Sequence, residues 1–129
     1  MNKILGIIPT PPPLKAQSLV YELKTRLDWG DPALTIVDVR DRSEYNLSHI
    51  LGAIPLPLDV LVDRALSSLE LTRDIYIHGE TDEETAVAAD KLRQVGYQNI
   101  SELRGGVAAW KAVGYPVESL QLSYDLSDF

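Results

Sequence analysis

A run of acidic residues near the middle of the chain has the composition of a ligand-binding or catalytic loop. Glu80, Asp82, Glu83 and Glu84 follow Gly79, behind the segment DIYIH and ahead of an alanine-rich segment. This order predicts a strand, a tight loop and the start of a helix. In α/β proteins such a junction is a frequent location of active sites, because strand ends and helix N-termini converge there.

Two chemistries would use these residue types. Carboxylate oxygens bind calcium or magnesium, but the spacing of the acids matches no EF-hand pattern. Thr81 or Thr85 beside His78 has the pairing of a hydroxyl nucleophile with an imidazole base. The sequence identifies no third group to orient that histidine and no cation to stabilise an oxyanion. We therefore predict no catalytic residue, no cofactor and no metal site, and we keep an acidic divalent-metal-binding module as an alternative.

The acidic residues also have a purely structural interpretation. Thr81 and Glu84 stand at the spacing of a capping box. Carboxylates in the first turn of a helix interact favourably with its dipole, by about 0.3–1 kcal/mol each. Gly79 would let the chain turn sharply at the strand end. On this interpretation the segment is a capped helix start that presents negative charge.

The elements that must position this segment alternate between strands and helices. Short apolar runs predict strands at residues 35–39, 53–57, 75–77 and 99–103. Apolar residues at helical spacing predict helices at 16–29, 58–69 and 85–95, and a further helix after Gly105 and Gly106. The polar stretch 40–53 is expected to cross the surface. The pattern predicts a single α/β domain with a parallel sheet and helices on both faces.

The composition is that of one globular domain. The chain has 129 residues, of which 45% are hydrophobic and 24% charged, enough to bury a core. Its net charge of -7 disfavours nucleic acid, because an acidic surface repels phosphate backbones. No segment has the roughly 20 apolar residues of a membrane span, so we predict a cytoplasmic protein that binds neither nucleic acid nor membranes. The absence of cysteine excludes disulfides and cysteine nucleophiles.

Both ends of the chain differ from its body. Residues 1–15 include the segment PTPPP and are predicted to be a proline-rich leader. Residues 16–117 are predicted to be the domain and residues 118–129 a C-terminal tail. In the tail Leu120, Leu122, Tyr124 and Leu126 alternate with polar residues, as in a strand. Such a tail would add to a sheet edge, lie across a partner or remain loosely packed.

Three segments together resemble the signature of rhodanese-like domains. DVRDRSEYNLSHILGAIPLP, residues 38–57, is similar to the family pattern D-x-R, E-[FY], G-H-I-x-G-A and [IL]-P, with Ser48 in place of the usual glycine. LRGGVAAWKAVGYPV, residues 103–117, is similar to its L-x-G-G-x-x-x-W-x-x-x-G-x-P-V close. IYIHGETDEETAVAADKLRQVGY, between them, occupies the place of the catalytic segment. The resemblance implies a five-stranded parallel sheet flanked by helices.

In active rhodanese-like proteins a cysteine at a strand end carries sulfur as a persulfide, and a six-residue loop curls round it. The resemblance places Gly79 at the cysteine. The loop residues that follow are Glu80, Thr81, Asp82, Glu83, Glu84 and Thr85. This chemistry needs an ionised thiol and positive charge where the anionic donor binds. The thiol is missing and the acids reverse the charge, so the resemblance implies a degenerate active-site loop.

We therefore predict a catalytically inactive rhodanese-like domain that acts as a protein-interaction or regulatory module. Its partner would be an unidentified protein that meets the acidic loop through a basic surface. The alternative is a sulfur-handling protein that uses a thiol from a partner or a small molecule. Asp38 and Arg40 are expected to flank the mouth of the site, with Arg40 paired to Asp41 or Glu44. His49 is expected to be a hydrogen-bonded loop anchor.

Overall fold

The strands lie side by side through the middle of the molecule. The computed structural model describes residues 14–30 and 33–120. In chain order its strands are β1 (Gln17–Ser18), β2 (Leu34–Asp38), β3 (His49–Ile50), β4 (Ile54–Pro55), β5 (Asp74–His78), β6 (Asn99–Leu103) and β7 (Val117–Glu118). In the described residues they form a five-stranded parallel sheet, β1-β6-β5-β2-β4, and a separate antiparallel pair of β3 with β7. The predicted parallel sheet is confirmed.

Helices cover both faces of this sheet. They are α1 (Val20–Asp28), α2 (Arg42–Leu47), α3 (Leu61–Ser68), α4 (Asp82–Gln94) and α5 (Gly106–Ala112), with a 3-10 turn at Leu58–Val60. Successive side chains of a strand point to opposite faces. Val37 and Ile77 accordingly pack in one core with α3 and α4, whereas Ile36 and Tyr76 pack in a second core with Leu23 of α1 and Trp110 of α5. Burial on both faces explains why the strands are continuous apolar runs.

The first predicted helix, residues 16–29, begins late. Residues 17–18 instead pair with Glu102 and Leu103 and form the edge strand β1, and the helix starts at Val20. The hydroxyl groups of Ser18 and Ser101 lie 2.5 Å apart between these strands. Apolar spacing cannot reveal this pairing, because it depends on the open edge of β6. The predicted helix 85–95 begins earlier, at Asp82.

The prediction that residues 40–53 cross the surface holds for only part of the stretch, since residues 41–44, 47, 51 and 52 are exposed. This stretch contains α2 and β3, and Tyr45, His49 and Ile50 are buried. The rings of Tyr45 and His49 stack with their centroids 3.7 Å apart. The Tyr45 hydroxyl donates to the carbonyl of Ala53 at 2.6 Å. Tyr45 and His49 can be buried here because each has a hydrogen-bond partner inside the fold.

The two ends fall mostly beyond the described part of the chain. The predicted leader lies outside it except for residues 14–15, and the predicted tail except for residues 118–120. The boundaries proposed for leader, domain and tail therefore stay predictions. Among the described residues, no helix combines the length and the apolar character needed to cross a bilayer.

Candidate functional site

Strands β2 and β5 end side by side at one edge of the sheet. Asp38 and His78 are their last residues, pair in register and are fully buried. The Asp38 carboxylate accepts hydrogen bonds from Arg40 Nε at 3.0 Å and Nη2 at 2.8 Å, and from the Arg40 backbone N–H at 3.0 Å. Arg40 also donates to the carbonyl of Ser48 at 2.6 Å. The predicted pairing of Arg40 with Asp41 or Glu44 is wrong, because Asp38 takes the guanidinium in a two-pronged contact.

His78 lies beneath the loop as a buried and neutral side chain. Neither ring nitrogen has a hydrogen-bond partner among the described residues, and Nε2 is 3.5 Å from the Asp38 carboxylate. Burial lowers the pKa of His78 below 6.5, against the attraction of Asp38. The histidine therefore has neither the exposure nor the hydrogen bond to Thr81 or Thr85 that a general base requires.

The loop after β5 closes on its own side chains. The Gly79 N–H donates to Thr85 Oγ1 at 2.7 Å, and the Glu84 N–H donates to Thr81 Oγ1 at 3.1 Å. The Glu80 N–H donates to Glu84 Oε1 at 2.7 Å. Thr81 is thus the predicted N-cap of α4, but Glu84 returns to Glu80 rather than completing a capping box with Thr81 itself. Three backbone donors that could hold a foreign anion are used internally.

Gly79 is explained by the space that Glu84 occupies rather than by its backbone conformation. It does not adopt the positive φ that favours glycine. A Cβ atom built at position 79 would lie 2.5 Å from Glu84 Oε1 and 3.0 Å from Glu84 Cγ. A turn at position 79 therefore does not need the conformational freedom of glycine, and the Glu84 side chain fills the volume that a Cβ atom at 79 would enter.

The four loop acids divide into two groups. Asp82 Oδ1 accepts a hydrogen bond from the Gly105 N–H at 2.9 Å, and Oδ2 lies 3.4 Å from Arg104 Nε. These contacts tie the start of α4 to the turn before α5. Glu84 is folded inward, as described above. Glu80 and Glu83 are exposed and carry the negative charge of the loop outward.

Across from the loop, two further acids complete an acidic cleft. Arg40, Asp41, Glu44, Glu80 and Glu84 line a cavity of about 280 Å³, here called the acidic cleft. Sequence reasoning missed Asp41 and Glu44 as part of the site, because it assigned them to Arg40. Their position just after β2 was the available signal, since the carboxyl ends of neighbouring parallel strands meet at one sheet edge. Within the described residues, no group of three or more His, Asp or Glu side chains could hold a metal ion.

Two further residues of the motifs, His49 and Gly106, hold the segments next to the site in place. His49 is buried, with Nδ1 donating to the Tyr45 carbonyl at 2.7 Å and Nε2 lying 3.1 Å from Glu118 Oε1. His49 is hydrogen-bonded as predicted, but it lies in the strand β3 rather than in a loop. Gly106 has φ +52, and a Cβ there would lie 3.0 Å from His78 Nδ1. This glycine lets α5 begin directly against the floor of the site.

Comparison with known proteins gives matches over most of the chain. The family model described as "Rhodanese-like domain" matches residues 19–113. A crystal structure of a protein from Anabaena sp. superposes with a TM-score of 0.79 and 53% identity, over 87% of this chain and 100% of that one.

Two curated relatives place similar sequences in different settings. An HTH-type transcriptional regulator of Mycobacterium tuberculosis is 36% identical over 99 residues, which are 75% of this chain and 42% of the regulator. A sulfurtransferase of Allochromatium vinosum is 32% identical over 82 residues, 64% of this chain and 76% of that protein. This chain thus spans less than half the length of the regulator.

Proposed function

The chain belongs to the rhodanese-like domain family, and from that premise we propose that it is a catalytically inactive member that binds a basic surface of a partner protein through its acidic cleft. The observation that carries the proposal is the pair Gly79 and Glu84. The strand-end position has no side chain, and a carboxylate occupies the space beside it. A chain without cysteine cannot form the cysteine persulfide on which the family reaction depends.

The charge of the cleft supports a cationic partner. Four carboxylates and one guanidinium line it, and that guanidinium is already paired with the buried Asp38. An anionic sulfur donor entering the cleft would meet repulsion, whereas a lysine or arginine side chain of a partner would find acceptors. Asp41, Glu44 and Glu80 are exposed, so this charge is accessible from solvent.

The relatives are compatible with a regulatory use of the domain. The Mycobacterium tuberculosis relative is named as a transcriptional regulator, so a similar sequence occurs within a regulatory protein. The Allochromatium vinosum relative is named as a sulfurtransferase. That name keeps the sulfur-handling alternative, with a thiol supplied by a partner or small molecule, as an outcome that the tests must distinguish.

The test of partner binding is an affinity experiment with two charge-matched variants. Asp41→Asn, Glu44→Gln and Glu80→Gln together neutralise three exposed carboxylates that line the cleft. Asp59→Asn, Asp63→Asn and Glu70→Gln neutralise three exposed carboxylates around α3 and change the net charge equally. A genuine partner is retained by the wild type and the α3 variant, released by the cleft variant, and released by added salt. Equal retention by both variants contradicts the proposal.

The test of inactivity is sulfur transfer from thiosulfate or mercaptopyruvate to cyanide or a dithiol. We expect no turnover above a heat-treated control. A second assay adds labelled sulfur donor and a protein extract that supplies partner thiols. Transfer that depends on this protein in the second assay would favour the sulfur-handling alternative, and turnover in the first would overturn inactivity outright.

A further inference from the structure

A second groove, separate from the acidic face of the loop, lies between α2 and α5. Its volume is about 560 Å³, and Arg40 and Glu44 contribute one end of its wall. The other lining residues, mostly apolar, are Leu47, Ser48, Val107, Ala108, Lys111 and Ala112. We call it the α2/α5 groove.

Exposed aliphatic side chains occur at one lining residue, Leu47, and on chain segments that adjoin the walls of the groove. Leu47 at the end of α2 is 54% exposed, Val113 just after α5 is 57% exposed and Leu120 is 47% exposed. Val117 of β7 is 39% exposed. Apolar side chains gathered on one surface are more typical of a binding site than of free surface. An apolar segment that occupied the groove and its margin would therefore bury these side chains.

The chain itself leaves the described body beside this groove. β7 runs antiparallel to β3, and beyond it the Leu120 N–H donates to the carbonyl of Asn46 at 2.9 Å. Asn46 is in the last turn of α2, which forms one wall. The nine residues 121–129 reach about 30 Å when extended. That exceeds the length of α5, whose seven residues rise about 10 Å.

The chemistry of residues 121–129 fits the groove rather than the acidic cleft. In an extended segment Leu122, Tyr124 and Leu126 fall on one side, while Asp125 faces the other. The segment contains Asp125 and Asp128 and no basic residue. The groove offers Lys111, whereas the acidic cleft would repel the segment.

We propose that residues 121–129 dock in extended form into the α2/α5 groove of their own chain. The three apolar side chains then cover the exposed margin, and Asp128, on the same side of the segment, lies within reach of the Lys111 ammonium. The two sites share Arg40 and Glu44, but Asp41, Glu80 and Glu84 line only the acidic cleft, so the docking does not require the proposed function.

A single spin label tests the docking in the full chain. Because the chain has no cysteine, Ser127→Cys provides one labelling site, on the side of the segment away from the groove. We expect the amide signals of Leu47, Val107 and Ala112 to lose most of their intensity with an active label and to regain it when the label is reduced. Signals of α3 should keep their intensity. Unchanged groove signals would overturn the proposal.

Two controls separate docking from chance proximity. Ala108→Glu adds a carboxylate to the exposed groove wall and should restore the groove signals in the labelled protein. Val87→Glu makes the same kind of change on the exposed side of α4 and should leave them broadened. A mixture of isotope-enriched unlabelled chain with spin-labelled unenriched chain should show no broadening. Broadening in that mixture, or no response to Ala108→Glu, would refute docking within one chain.

Discussion

Whether Gly79→Ala raises or lowers stability depends on Glu84. In the otherwise wild-type chain, the Cβ atom added at position 79 would lie 2.5 Å from Glu84 Oε1. The carboxylate must therefore move, and it loses the hydrogen bond that it accepts from the Glu80 N–H at 2.7 Å. A hydrogen bond to a charged group is worth about 1.5–3 kcal/mol, and an exposed one lies at or below the low end of that range. The flexible glutamate can turn outward, so the cost is that of the bond rather than of a rigid clash. We expect Gly79→Ala to lower the free energy of unfolding by about 1 kcal/mol.

The effect of Gly79→Ala on the free energy of unfolding should change sign once Glu84 is shortened. Gly79 does not use the positive φ of glycine, so alanine restricts the unfolded chain without straining the folded one. In a Glu84→Ala background, Gly79→Ala should therefore raise the free energy of unfolding by about 0.4–1 kcal/mol. The coupling between the two positions is then about 1.5–2 kcal/mol, well above the scatter of independent sites.

Urea unfolding of the wild type, both single variants and the double variant measures this coupling. Each midpoint is read with its slope, because an unchanged slope shows that the comparison concerns stability alone. The explanation of Gly79 by the Glu84 side chain is refuted if Gly79→Ala has the same effect in both backgrounds, to within about 0.4 kcal/mol.

Three further outcomes follow from the described contacts. Gly79→Cys alone should give little or no sulfur transfer, while adding Glu80→Arg and Glu84→Arg should increase the rate, because the acids repel an anionic donor; family-like rates from the single variant would contradict the charge argument. The pKa of His78 is lowered from 6.5 in the folded protein, so the unfolded chain takes up this proton at a higher pH, and the free energy of unfolding should fall as the pH drops below about 6.5. In urea titrations, His78→Leu should make that fall smaller. An unchanged fall would show that other groups cause it. Trp110→Ala empties a fully buried site and should cost about 3–5 kcal/mol by urea unfolding, so a cost below about 1 kcal/mol would mean that the second core does not depend on it.

The alternation of strands and helices was predictable because apolar runs and helical spacing are local properties. The strand at residues 99–103 has the predicted bounds, and β2 and β5 lie within a residue or two of theirs. The edge strand β1 was not predictable from its own residues, because only the partner strand β6 makes residues 17–18 extended. The 40–53 stretch was partly misjudged for a related reason, since Tyr45 and His49 look polar until their partners are known.

The site shows the same division. The missing thiol and the acidic character of the loop are visible in the letters of the sequence. The inward fold of Glu84, the use of Asp82 as an acceptor for the Gly105 N–H and the joining of Asp41 and Glu44 to the cleft are not. Each of these depends on which groups lie close together in the folded chain, and the order of residues along the sequence does not give that.

The inward fold of Glu84 also shapes which sequence changes are open to this chain. A thiol gained at position 79 would arrive in a place already taken, and the first step toward chemistry would cost stability without yielding a reactive sulfur. Loss of Glu84 first would remove the acceptor of the Glu80 N–H and confer no activity either. Gly79 and Glu84 are thus coupled, because a change at either residue costs stability while the other is kept, and the absence of a thiol at position 79 is maintained by two positions rather than one.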